Sequence, residues 1–160
     1  MDERERRLDD FERELTLLSR HFVSSRGPRA GLTLERSAYV LLTRLQAGEP
    51  LTLKELAHTF QLGMSTISRQ VGAMLDKGLV ERLPDPDGGM ARKYRPTPLG
   101  LDRLRVDRAI NLEGAARLID ATQWTDQATR QFLTLLGELN RSIEQLEGLP
   151  LNRSGQDAKG

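Results

Sequence analysis

Three features of the chain predict a mainly α-helical fold, a winged helix-turn-helix with a small β-hairpin wing between long N- and C-terminal helices. The segment Leu51–Thr97 reads as a capped helix, a short turn, a second helix and two short strands around a Pro/Asp/Gly turn. The stretches on both sides repeat apolar residues every three or four positions, the period of a helix with one buried face. Aromatic residues make up only 4% of the 160 positions and cysteine is absent. The core must therefore be built from Leu, Ala, Val and Ile.

The first helix is expected over about 20 residues, with Leu8, Phe11, Leu15, Leu18 and Phe22 on one stripe and charges elsewhere. Such a stripe suits a core-facing helix and equally a dimer-forming one. Ser24–Gly31, with Gly27-Pro28, breaks the pattern as a loop. Leu34, Ala38, Leu41, Leu42 and Leu45 mark the second helix, with Thr33 as its expected N-cap and Gly48 just past its end.

The next boundary is the best defined in the chain. Thr52 can accept a bond from the first turn while Glu55 reaches back to the Thr52 N–H, with Leu51 and Leu56 at the staple positions. This helix runs to Phe60, and Gln61-Leu62-Gly63 supplies the short turn that lets two helices cross steeply. From Met64, the residues Ile67, Val71, Met74 and Leu75 define a buried face, and Lys77-Gly78 ends the helix with a cation and a glycine. Leu79–Leu83 and Ala91–Arg95 alternate as hairpin strands should. Thr97-Pro98 then reads as an N-cap with proline at the first helical position. The helix that follows, to about Ile119, carries Leu101, Leu104, Ala109, Leu112, Ala116 and Ile119. A last helix from Thr125-Asp126 carries Phe132, Leu135, Leu136, Leu139, Ile143 and Leu146.

These boundaries divide the chain into a helical region (1–50 and 98–148), a winged helix-turn-helix lobe (51–97) and a flexible tail (149–160). The tail expectation rests on its polar, Pro- and Gly-containing composition.

Chemistry enters through the outer face of the helix after the turn. Ser65, Thr66 and Ser68 are short and polar, which lets the backbone approach a groove closely. Arg69 can read guanine through O6 and N7, and Gln70 can pair with adenine. On the returning strand Arg92, Lys93 and Arg95 can bind phosphates or line the minor groove without strict sequence demands. Each group alone also fits an ordinary solvated surface; its place after a capped helix and a glycine turn, and beside a charged hairpin, favours double-stranded DNA. The net charge of only +1 means that any footprint is made by geometry rather than by bulk charge.

Other function classes have no support in the residues. Without cysteine there are no disulfides, no thiolate metal sites and no thiol redox sensor. His21 and His58 have no partner at metal-ligand spacing, and no nucleophile triad or glycine-rich phosphate loop occurs, so neither a metal, a cofactor nor an enzyme is expected. The charged start Met1–Arg7 is not a secretory signal, and no apolar run approaches the roughly 18 residues of a membrane span, so a cytoplasmic protein is expected.

The stretches Leu51–Ala57, Ser65-Thr66-Ile67-Ser68-Arg69, Asp76–Arg82, Pro84–Asp87 and Thr97-Pro98-Leu99-Gly100, in this order and spacing, resemble the MarR (multiple antibiotic resistance regulator) family. The resemblance implies a homodimeric winged-helix transcription regulator, with terminal helices at the dimer interface and an inverted-repeat DNA site. It further implies release of DNA when a small aromatic or phenolic anion binds between the dimerisation and DNA-binding regions. Ser65, Thr66, Ser68 and Arg69 match the family's recognition-helix positions. Three positions depart from the pattern. Gly88 and Met90 stand where the family usually has an Asp and an Arg near the wing tip, so the minor-groove role passes to Arg92 or the wing contributes less. Gly63 stands where a polar residue commonly caps the recognition helix. The alternative reading is a winged-helix protein-interaction module that does not bind DNA.

Overall fold

The computed structural model describes residues 2–24, 31–84 and 91–146. The expected wing tip around Gly88 and Met90 and the expected tail at 149–160 lie outside the described residues, as does most of the loop around Gly27-Pro28. The chain divides into two compact units, residues 1–32 and 33–160.

The first unit holds helix α1 (Glu3–Ser24). Its start is fixed by a reciprocal pair of bonds: the Asp2 N–H donates to Glu5 and the Glu5 N–H donates to Asp2, both at 2.7 Å. The stripe residues Leu8, Phe11, Leu15 and Leu18 are all exposed.

The second unit contains α2 (Arg36–Gln46), β1 (Leu51–Thr52), α3 (Leu53–Phe60), α4 (Met64–Asp76), β2 (Val80–Leu83), β3 (Lys93–Pro96), α5 (Pro98–Thr122) and α6 (Asp126–Leu146). The three strands form one antiparallel sheet in the order β1-β3-β2. Val80 pairs with Pro96 and Leu83 with Lys93, while Leu51 and Thr52 pair with Tyr94 and Lys93. The wing is thus more than the expected two-stranded hairpin. Leu51, expected as a helix staple, lies in a third strand that gives β3 a partner on both sides. The described core draws on α2, α3, α4, β2, β3 and one residue of α5: Leu41, Leu42, Leu56, Ile67 and Val71 are its most deeply buried aliphatics, with Tyr94 and Leu104 closing it.

Helix α2 buries Ala38, Leu41, Leu42 and Leu45, as its period predicts, but its entry differs from the expectation. Glu35, not Thr33, occupies the N-cap and makes no side-chain cap bond. Thr33 is instead committed to Asp107 of α5. That carboxylate is 1% exposed and accepts from the Thr33 N–H (2.8 Å), the Thr33 hydroxyl (2.9 Å) and the Leu34 N–H (2.9 Å). Three donors at these distances offset the cost of burying a carboxylate. They tie the chain just before α2 to the middle of α5.

Of the apolar positions noted along α5, only Leu104 is buried; Leu101, Ala109, Leu112 and Ala116 are exposed. On α6 Phe132, Leu135, Ile143 and Leu146 are exposed, with Leu136 and Leu139 partly covered. Trp124, just before α6, stacks obliquely on Phe132 with ring centroids 5.0 Å apart.

Candidate nucleic-acid interface

Helix α3 forms with the expected capping box. The Glu55 N–H donates to Thr52 Oγ1 at 3.2 Å and the Thr52 N–H to Glu55 Oε2 at 2.7 Å. Its far end does not use glycine for the tight reversal. Gln61 takes the left-handed conformation (φ 48°), and the Leu62 N–H bonds back to the Ala57 carbonyl at 3.0 Å. Gly63 has φ −60° and serves as the N-cap of α4, its carbonyl accepting from the Thr66 and Ile67 N–H groups.

Helix α4 buries Ile67, Val71 and Met74 and turns the opposite side outward. Ser65, Ser68 and Arg69 are exposed, while Thr66 and Gln70 lie half-buried at the margins. No hydrogen bond or ion pair engages the Arg69 guanidinium among the described residues. Its five donors remain available to a partner.

The C-terminal end of α4 is locked. Gly78 is left-handed (φ 66°) and donates to the Leu75 carbonyl, and the Leu79 N–H reaches the Met74 carbonyl, both at 2.9 Å. Thr97 then clamps this loop to the start of α5: its hydroxyl donates to the Gly78 carbonyl (2.6 Å) and its N–H to the Leu79 carbonyl (3.1 Å). The same hydroxyl caps α5 by accepting from the Gly100 N–H at 3.0 Å. Gly100 permits this crossing, because a Cβ there would lie 2.0 Å from the Leu79 carbonyl oxygen. Any shift of the first turn of α5 is therefore felt at the end of α4.

The cations expected on the returning strand do not act alike. Arg92 is exposed and precedes β3. Lys93 is half-buried and paired in register with Thr52 on one side and Leu83 on the other. Arg95 is held by Glu81 across the β2–β3 ladder at 2.5 Å, so part of its charge is already balanced. A further cation was not singled out from the sequence: Arg82 on β2 lies 6.0 Å above the centre of the Tyr94 ring. Its place opposite Tyr94 in the register is a signal that alternation alone does not carry.

Among the described residues, no group of three or more His, Asp or Glu is placed to hold a metal. No described helix is long and apolar enough to cross a membrane.

The comparisons with known proteins agree with this geometry. The MarR family model matches residues 34–88, from the start of the α2 approach to the wing. An uncharacterized HTH-type transcriptional regulator of Bacillus subtilis, YxaD, is 35% identical over 135 residues, which cover 83% of this chain and 92% of that protein. Staphylococcus aureus MarR in complex with salicylate and kanamycin shares the fold with a TM-score of 0.74 at 12% identity, covering 88% of this chain and 95% of that one. A variant of S. aureus MepR bound to an oligodeoxyribonucleotide shares it with a TM-score of 0.55 at 17% identity, covering 83% and 97%. The layout of capped α3, outward-facing α4 and wing, together with the extent of these matches, places the chain in the MarR family of transcriptional regulators.

Proposed function

We propose that this regulator is a repressor that binds an inverted-repeat operator as a homodimer, α4 of each copy entering one of two successive major grooves about 34 Å apart. The observation that carries the reading is the unengaged Arg69 guanidinium beside Ser65 and Ser68, on a helix fixed at both ends. Thr66 and Gln70 line the margins of the same face, and Arg92, Lys93 and Arg95 supply contacts from the wing, with Arg92 the least committed within the molecule. The DNA-bound MepR variant supports this use of the fold.

In this reading residues 51–97 form the DNA-binding lobe, and residues 1–50 and 98–148 the dimerisation region. Two copies are proposed because α1, α5 and α6 each leave large apolar side chains facing solvent, which a second copy would cover.

An effector is proposed to act at a cleft of about 400 Å³ where the end of α2 meets β3 and α5. Its wall combines Leu45, Pro50, Pro96 and Leu101 with Gln46, Glu49 and Arg95, an apolar lining edged by one carboxylate and by a cation that Glu81 already engages, which suits a small, largely apolar molecule. Arg44 lies close by, beside Gly48, and its buried Nε has no hydrogen-bond partner among the described residues. The salicylate-bound relative supports this ligand class. Occupation would shift the lobe toward a spacing that no longer matches two grooves.

Selection of the intact protein against random duplex DNA tests the central part. An inverted repeat is expected, and Arg69→Ala should weaken binding to it by about 1–3 kcal/mol per base contact while relaxing sequence preference at one position of each half-site. Unchanged affinity and unchanged salt dependence in Arg69→Ala would remove α4 from the interface and favour a protein-interaction module.

A further inference from the structure

Met64 opens α4 with half of its surface exposed (50%), and Leu62 in the preceding turn is 38% exposed. Neither belongs to the buried core of the lobe. The exposed residues that follow Met64 in the first two turns of the helix are Ser65, Ser68 and Arg69, so an apolar side chain stands at the leading edge of a polar face. Met64 and Ser68, at i and i+4, are surface neighbours on that helix. When a helix-turn-helix docks, the N-terminal residues of its second helix are the ones that reach base edges. Those edges present donors, acceptors and a single apolar group, the C5-methyl of thymine. A flexible, polarizable thioether is well suited to cover it.

We infer that Met64 is a specificity-determining residue that reads a thymine methyl in the major groove, an inference resting on the proposed docking of α4. Ser65, Ser68 and Arg69 then supply the polar contacts, and Met64 sets a preference for thymine at the position nearest the start of the helix. Because two copies dock symmetrically, the preference appears once in each half-site.

The duplex recovered by selection is resynthesised with deoxyuridine in place of each thymidine in turn, which deletes one methyl and keeps the hydrogen-bonding pattern. The wild-type protein is expected to bind about fourfold more weakly when one such thymine in a half-site is replaced, the loss anticipated for one buried methyl group. Met64→Ala should bind the thymine and uracil duplexes equally at that position and keep the wild-type salt slope, since no phosphate contact is removed. Met64→Leu, which retains apolar reach, should keep the sensitivity. Wild-type indifference to every methyl deletion, or full methyl sensitivity retained by Met64→Ala, overturns the inference and leaves operator binding standing. Failure to recover any preferred duplex overturns the operator reading itself and this inference with it.

Discussion

Helices α3 and α4 and helix α6 carry apolar residues at the same helical spacing, yet they end in opposite situations. In the lobe, Leu56, Ile67, Val71 and Met74 are buried against α2 and the sheet. Along the second half of α5 and the whole of α6 no described residue is buried, and Leu112, Leu118, Leu133 and Leu135 are more than half exposed. The period of a helix therefore reveals that it has an apolar face but not what covers it. The lobe closes its core with α2 and Leu104 of α5 from the same chain, whereas the long helices await the second copy proposed here.

The contrast is sharpened by making one truncation in both places. Leu56→Ala is expected to cost about 2–5 kcal/mol in chemical denaturation of the dilute protein, because it opens a cavity among side chains that cannot collapse around it. The same change at Leu133 should stay within about 0.5 kcal/mol under those conditions, as at other exposed sites. Equal losses at the two sites would break the distinction. A smaller effect is expected inside the lobe at Thr52→Ala, which removes the acceptor for the Glu55 N–H and leaves β1 paired through its backbone. It should cost about 1 kcal/mol, read by the same denaturation. A loss near that of Leu56→Ala would mean that Thr52 supports the sheet as well as the helix.

The parts of the fold that follow from short-range rules were legible in the sequence. The capping box at Thr52 and Glu55, the Gly78 stop and the Thr97-Pro98 start each depend on neighbours within a few residues, and all three form as expected. The parts that depend on distant partners were not. β1 is two residues long, too short for alternation to register, and exists only because β3 offers an edge. Thr33 has the side chain of an N-cap, but Asp107, 74 positions away, claims both its hydroxyl and its N–H. Nothing local distinguishes Asp107 from its exposed charged neighbours on α5. Gly100 looks like any glycine of a first helical turn until the Leu79 carbonyl is seen where its Cβ would be. At the candidate site the same division holds. The outward placement of Ser65, Ser68 and Arg69 follows from the period of α4, while the engagement of Arg95 by Glu81 required the strand register.

The coupling of α4 to α5 through Gly78, Leu79, Thr97 and Gly100 gives the proposed dimer a route to the groove-reading helix. Movement of the long helices on binding of the proposed effector would be delivered to the C-terminal end of α4 through the Thr97 hydroxyl, the Thr97–Leu79 backbone bond and the close crossing at Gly100.

The central claim, that the lobe is complete within one chain while the long helices are completed by a second copy, is tested most directly by sedimentation equilibrium at micromolar concentration. The wild-type chain should sediment at twice its 18.0 kDa mass. Leu135→Lys, which places a charge in the exposed stripe of α6, should sediment at 18.0 kDa with its helical content retained. A wild-type protein that remains at 18.0 kDa up to tens of micromolar, or a Leu135→Lys variant that stays dimeric, would contradict the account.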